Sequence, residues 1–423
     1  MAREMRHSGI EWIGEIPKEW KVLPHKYIMH KKKEIQEHYS GQDIISLTMN
    51  GVIVRDLDAG GKMPLSFDGY QVVYPNNLLL CLFDIDVTPR CVGLIKNYGV
   101  TSPAYSQFVV KDGSYPPYYD YLLRYMDDNK CLLHLSKNLR SSLTETDFGQ
   151  IHTCLPPLVE QQKIANYLDT VCGEVDEMIA LQEQMIEELK AYKQSVITEA
   201  VTKGLNLDVP MKDSGIDWIG EVPEHWGVKR LKEIFVLQTG TTPKDYEKGL
   251  DTDVLVNWFT PSDVGEMNCE LESSQRYLSK VVVEKEGINL YPKGSLIFVA
   301  IGASAGKIGY ANIEGYSNQQ ITALIPKENC YSKYSYYYMI ADRKRIRENA
   351  FFTTLPIINN GYLSSVRTLL PPIEEQQSIA SYLDTKCAEI DALIAIKQAK
   401  IDELKDYKKS VIYEYVTGKK EVV

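Results

Sequence analysis

The apolar positions of residues 155–203 fall mostly three and four apart: Ile164, Leu168, Val171, Val175, Met178, then Met185, Leu189, Tyr192 and Val196, with Gln182 in the one gap. That spacing predicts a long amphipathic helix with a heptad seam. The pattern returns at Ile379, Leu383, Ile390, Leu393, Leu404, Tyr407 and Val411, where Lys386, Lys397 and Lys400 interrupt its phase. Pro156-Pro157 and Pro371-Pro372 set the starts near Glu160 and Glu375, because proline biases its predecessor away from helix. A stripe this long must be covered by another helix. The two copies are expected to pair antiparallel, with a coiled coil to another chain as the competing arrangement. Tyr192 and Tyr407 are expected to pack in the seam.

Elsewhere short β-branched runs alternate with Gly, Pro, Asn and Asp turns. Strands are predicted near 43–48, 70–74, 78–83, 91–95 and 105–110, and again near 253–258, 277–284, 295–300, 307–310 and 320–325. A tyrosine-rich helix follows each set, near 117–126 and 332–349. Each set reads as an α+β domain built on one strongly bent sheet.

An internal repeat organises these elements. Ser8-Gly-Ile-Glu-Trp-Ile-Gly-Glu-Ile-Pro-Lys-Glu-Trp20 returns as Ser214-Gly-Ile-Asp-Trp-Ile-Gly-Glu-Val-Pro-Glu-His-Trp226, and 155–202 aligns with 370–417 without a gap, 29 of 48 positions being identical. The plan is an arm (1–20), a variable domain (21–154), a helix (155–205), a second arm (206–226), a second variable domain (227–369) and a second helix (370–423). A chain duplicated this way predicts pseudo-two-fold symmetry. A kept scaffold carrying unlike domains predicts one mount for two different readers; drift would have blurred both parts alike.

Composition narrows the function. The chain has 423 residues and a formal charge of −10, which argues against a sequence-blind polyanion binder. The acidity is concentrated: residues 155–205 carry 4 basic and 9 acidic groups, and residues 226–369 carry 17 and 15. Eight scattered cysteines without a CxxC pair read as reduced thiols. No apolar run reaches the 18 or so residues of a membrane span, and the start shows no signal-peptide core, so a cytoplasmic protein is expected. The seven histidines show no metal-ligand spacing.

Two motifs invite enzymatic readings. Gly302-Ala-Ser-Ala-Gly-Lys-Ile308 is one residue short of a phosphate-binding loop, and Ile308 stands where a Ser or Thr is needed, so a strand–strand turn is the better account. Ser114-Tyr-Pro-Pro-Tyr118 is similar to the Asp/Asn-Pro-Pro-Tyr motif of amino-methyltransferases, but Tyr115 replaces the amine-contacting residue. No nucleophile–base set is evident, and the chain is expected not to be an enzyme. The turns of both variable domains are instead rich in Asn, Gln, Arg, Lys, Ser and Thr, which suit base edges and phosphates.

With these motifs in view, the sequence resembles the specificity (S) subunits of type I restriction–modification enzymes over essentially its full length. The carrying residues are the 9–20 block with its repeat, the two Leu-Pro-Pro…Glu-Gln-Gln blocks, Gly240-Thr-Thr-Pro243 and Trp258-Phe-Thr-Pro-Ser-Asp263. The resemblance implies two target recognition domains, each reading half of a bipartite site in double-stranded DNA. The repeated helices would set the spacer and dock two modification subunits, joined by motor-nuclease restriction subunits. S-adenosylmethionine, ATP and Mg²⁺ would belong to those partners, with no cofactor or metal in this chain. Candidate DNA contacts are Thr48, Asn50, Arg55, Arg90, Tyr105, Lys137 and Arg140 in the first domain. In the second they are Thr241, Thr242, Lys244, Trp258, Thr260, Ser262, Lys307, Asn318, Gln319, Thr353 and Thr354. The first domain matches the family's loop patterns less closely. A non-DNA coiled-coil scaffold and a self-contained DNA methyltransferase are the alternatives.

Overall fold

A computed structural model describes residues 3–58, 64–136, 141–248, 250, 254–266, 269–349, 351–352 and 355–422. The long helices among the described residues are α1 (Pro116–Asp128), α2 (Leu158–Lys203), α3 (Ser332–Glu348) and α4 (Ile373–Val416). The chain forms two compact units. Unit 1 is Met1–Glu183 with Ala399–Val423, so it holds the first part of α2 and the last part of α4. Unit 2 is Gln184–Gln398 and holds the complementary parts.

In unit 1 the arm is a hairpin, Met5–His7 against Glu15–Pro17. Its repeated motif has a local cause: the Ser8 hydroxyl accepts from the Ile10 N–H at 3.0 Å, and Gly9 and Gly14 take left-handed φ of 80° and 71°. Trp20 is thereby fixed in the core. The variable domain begins and ends on one ladder, Lys21–Pro24 paired with His152–Leu155. Between them lies an antiparallel sheet in the order Met29–Lys32, Ser106–Val110, Leu78–Leu80, Val92–Leu94. Two smaller ladders, Ile45–Thr48 with Gly51–Val54 and Gln71–Val73 with Gly99–Thr101, are not hydrogen-bonded into that sheet but pack on it through Ile45, Val73 and Leu79.

Unit 2 repeats the plan. Its arm pairs Met211–Asp213 with Glu221–Pro223, and its domain opens and closes on Gly227–Arg230 with Arg367–Leu370. The main sheet runs Phe235–Thr239, Ile321–Pro326, Leu296–Val299, Ile308–Ala311, with Glu270–Leu271 added parallel at the edge. A second sheet orders Arg276–Ser279, Leu255–Phe259 and Tyr316–Ser317. Both variable segments thus contain a main sheet and smaller ones, in place of the single bent sheet expected. The run Val281–Val283 is helical (Lys280–Lys285), not strand, because the Ser279 hydroxyl caps the Val282 N–H.

Residues shared by the two helix blocks make the same contacts twice. Gln161 is buried, accepts from the Tyr115 N–H at 2.7 Å and donates to the Pro156 carbonyl at 2.8 Å. Gln376 does so with Tyr331 and Pro371, at 2.8 Å each. A buried tyrosine hydroxyl closes the far end of a helix in each unit, Tyr118 on the Val416 carbonyl and Tyr334 on the Val201 carbonyl. Such carbonyls have no partner inside their own helix. Tyr121 donates to Asp169, and Tyr337 to Asp384.

The helices pair antiparallel. In unit 1 Lys408 of α4 binds Asp176 of α2, with Nζ–Oδ1 at 2.6 Å. In unit 2 Lys193 of α2 binds Asp391 of α4, also at 2.6 Å. The seam differs from the expected one at several positions. Tyr192 and Tyr407 are exposed, and Lys193 beside Tyr192 is buried in the contact. Met178, Leu393 and Ile396 are likewise exposed. The aliphatic stripe is wider than the contact, so spacing alone cannot select which edge faces the partner helix.

Candidate nucleic-acid interface

In unit 2 four turns converge at one end of the main sheet. The turn after Phe235–Thr239 lies on the turn before Ile321: the Gly240 N–H donates to the Ile321 carbonyl and the Thr241 N–H to the Ser317 carbonyl, each at 2.9 Å. Gly240 is required by the approach, since a Cβ there would stand 2.2 Å from the Asn318 carbonyl oxygen and 2.2 Å from Ser317 Oγ. The Thr242 hydroxyl bonds Gln319 Oε1 across the two turns. The Gln320 carbonyl accepts from the Ala300 and Ile301 N–H groups. The Gly302 N–H donates to the Pro356 carbonyl, and Asn360 Nδ2 donates to the Thr239 hydroxyl at 2.7 Å. The structure therefore brings Thr241, Thr242, Asn318 and Gln319 together on an exposed or half-exposed edge. Asn360 and Gln320, which tie the turns, are not singled out by the sequence; Gln320 follows the candidates Asn318 and Gln319, whereas nothing in the local sequence marks Asn360.

Other candidates are placed differently. Asp263 closes a turn by accepting from the Thr260 N–H and hydroxyl, each at 2.7 Å, and from the Gln275 N–H at 2.6 Å. Thr260 is 4% exposed and Trp258 4%, with the indole against Tyr246. Both are buried, and Ser262 is the most exposed residue of that motif. Lys244 is exposed while its N–H reaches the Glu286 carboxylate at 3.2 Å. The Gly302–Ile308 stretch is the connection between Leu296–Val299 and Ile308–Ala311, a strand–strand turn as the sequence reading holds. Lys307 from it pairs with Glu266 at 2.7 Å. Thr353 and Thr354 lie outside the described residues.

In unit 1, Thr48 and Asn50 form the tip of the Ile45–Val54 hairpin, with the Thr48 hydroxyl donating to the Gly51 carbonyl at 3.0 Å. Asn50 is exposed and Arg55 half-buried. Tyr105 is half-buried and stacks on Phe83. Arg90 departs from the expectation. Its side chain is 16% exposed and faces Asp128 at 3.4 Å, next to the buried Asp120 and its half-buried partner Arg124. Burial raises the carboxyls of Asp120 and Asp128, and the neighbouring arginines pull them back down. Arg90 thus sits in a half-buried ionic cluster with Asp128, Asp120 and Arg124. Lys137 and Arg140 lie outside the described residues.

Among the described residues no three His, Cys, Asp or Glu side chains gather to hold a metal ion. None of the helices there is long and apolar enough to cross a membrane.

Residues 223–406 match the family described as the type I restriction modification DNA specificity domain. The type I restriction enzyme MjaVIII specificity subunit of Methanocaldococcus jannaschii is 27% identical over 286 residues, 64% of this chain and 63% of that protein. The EcoKI specificity subunit of Escherichia coli is 26% identical over 262 residues, 60% of this chain and 54% of that protein. The chain thus aligns with less than two thirds of the length of these two relatives. A chain from a solved type I restriction–modification system superposes with a TM-score of 0.73, covering 95% of this chain and 98% of that one at 18% identity. The HsdS subunit of Thermoanaerobacter tengcongensis superposes with a TM-score of 0.51 over the same shares at 17% identity. These likenesses define the fold class, paired variable domains on a repeated helical scaffold. In sequence and in fold the chain is similar to specificity subunits of type I restriction–modification enzymes.

Proposed function

We propose that the chain is the sequence-specific DNA-recognition subunit of a type I restriction–modification complex, and is not itself the catalyst. The observation that carries this is the double mounting of unlike loops. Gln161 and Gln376, and Tyr118 and Tyr334, tie the two variable domains to the helices by the same bonds, and Lys408 and Lys193 join helix to helix in the same way. The turns those domains present share no such likeness: a converged edge of Thr241, Thr242, Asn318 and Gln319 in one, a hairpin tip at Thr48–Asn50 in the other. One mount with two different faces suits a split, asymmetric target. Asn and Gln side chains pair with adenine edges in the major groove, while Thr and Ser hydroxyls hold phosphates.

In this reading the repeated helices, about 69 Å long for the 46 residues of α2, set the spacer between half-sites. Two modification subunits carrying S-adenosylmethionine dock on them in the cytoplasm, and restriction subunits supply ATP- and Mg²⁺-dependent steps. With near-neutral readers, most non-specific phosphate attraction comes from those partners, so the isolated chain binds DNA weakly. The test is a map of methylated bases in the host genome with and without this gene. A bipartite, non-palindromic motif lost with the gene is the expected result; a single contiguous motif, or no change, contradicts the reading.

A further inference from the structure

Within unit 2, α3 ends in the run Asp342-Arg-Lys-Arg-Ile-Arg-Glu348, which gathers four cations on two turns. Arg343, Lys344 and Arg347 border a groove of about 880 Å³ with Trp218, Ile340 and Ala341. Arg345 is not part of that rim; it is paired with the buried Asp342. The groove adjoins the converged turns, because Arg347 Nη2 reaches the Ala303 carbonyl at 3.4 Å and the Arg347 stem lies against Gly306. A basic helix end and the polar turn edge thus form one continuous surface.

The strongest pair of charges on it is already occupied. Glu266 bridges Lys307 Nζ at 2.7 Å and Arg343 Nη2 at 2.8 Å, and its backbone carbonyl accepts from Arg343 Nη1 at 2.6 Å. The two cations are 19% exposed, whereas Glu266 is 69% exposed. A carboxylate between an ammonium and a guanidinium has the charge and oxygen geometry of a phosphate at such a site. Glu266 is the exposed member of the trio, so water can solvate its carboxylate once another anion displaces it. Hydrogen bonds from Lys307 and then Arg343 hold the Glu266 carboxyl below the usual range, so it is charged at neutral pH.

Resting on the DNA-recognition reading, we propose that Lys307 and Arg343 form a binding site for a phosphate of the DNA backbone, which Glu266 occupies until a duplex displaces it. Glu266 then acts as a brake on sequence-blind binding. Off target, the gain from one phosphate is offset by the ion pairs broken. On target, contacts at the neighbouring turn edge hold the backbone in place while the exchange occurs. An acidic protein segment is the other ligand such a groove could take; continuity with the turn edge favours the nucleic acid.

The test uses the full chain assembled with its modification subunits and a duplex bearing the mapped motif, titrated between 50 and 200 mM salt. Glu266→Gln is expected to tighten binding about 3- to 10-fold at the low-salt end and to steepen the salt dependence. Arg343→Gln is expected to flatten log K against log salt by about 0.9, the share of one phosphate, with base preference unchanged. Lys307→Gln gives the same readout from a separate position. Unchanged affinity and slope in all three variants overturns the proposal. So does a loss of modification-subunit binding with the slope intact, which assigns the groove to a protein partner. If the unaltered complex shows no preference for its motif, it is the DNA-recognition reading that fails.

Discussion

Replacing Gly240 with alanine tests whether the converged turns of unit 2 are a reading edge. The added Cβ would meet the Asn318 carbonyl oxygen at 2.2 Å, Ser317 Oγ at 2.2 Å and the Ser317 carbonyl oxygen at 2.5 Å. Two of these are backbone atoms, which no rotamer change removes. The turns must separate by about 1 Å, and the two hydrogen bonds from the Gly240 and Thr241 N–H groups, 2.9 Å each, lengthen or break. Overpacking of this kind costs about 1–3 kcal/mol and each lost bond about 1 kcal/mol. The sum, about 2–5 kcal/mol, falls on a surface edge beside a large core, so the unit should stay folded with its edge displaced. If that edge reads bases, the loss appears in binding as roughly 30-fold or more, at 1.4 kcal/mol per tenfold. The assay is site selection by the assembled complex on duplexes randomised in one half-site at a time. G240A should relax preference in one half and leave the other sharp. Gly173→Ala, where a Cβ meets nothing within 4 Å, is the control and should be neutral or slightly stabilising. Unaltered affinity and preference in G240A would refute the reasoning.

Other expectations concern the scaffold. His25 is fully buried against Phe148, and burial lowers its imidazole from 6.5 to about 4. The unfolded chain therefore takes up a proton that the folded one refuses as pH falls from 6.5 towards 4, and stability drops by about 3 kcal/mol across that window. His25→Leu, which installs the residue type found at the equivalent Leu231, should abolish this loss, read as urea midpoints at pH 7 and 5. Gln376→Leu leaves the Tyr331 N–H and the Pro371 carbonyl unpaired and should cost about 2–4 kcal/mol in a thermal melt, with Gln161→Leu doing the same in unit 1. At the helix contact, Asp391→Asn strands a buried Lys193 ammonium and should destabilise by about 2–4 kcal/mol, whereas Lys193→Met leaves a half-exposed carboxylate and should cost about 1. Equal losses in the two variants would show that desolvation of the lysine is not the governing term.

The repeat, the arms, the long helices and the family resemblance were legible because each depends on local chemistry that a linear pattern records. Ser8 and Ser214 cap turns, positive-φ glycines bend them, and paired prolines start helices. Periods of three and four marked the helices but not their facing. Tyr192 faces solvent and Lys193 is buried because Asp391, 198 residues away, neutralises the ammonium. The candidate interface was legible only in part for the same reason. Thr241, Thr242, Asn318 and Gln319 share an edge because the strand at Phe235–Thr239 pairs with Ile321–Pro326, a register no local pattern states.

The amino-acid order by itself determined that two unlike domains would sit on one duplicated helical frame, since helix periodicity, capping and turn chemistry act over a few residues at a time. Only the tertiary structure decided which polar groups remain at the surface. It drew Arg90, Trp258 and Thr260 inward and set Glu266 across Lys307 and Arg343. Burial and pairing are properties of what the distant chain brings alongside, and a residue's own identity does not carry them.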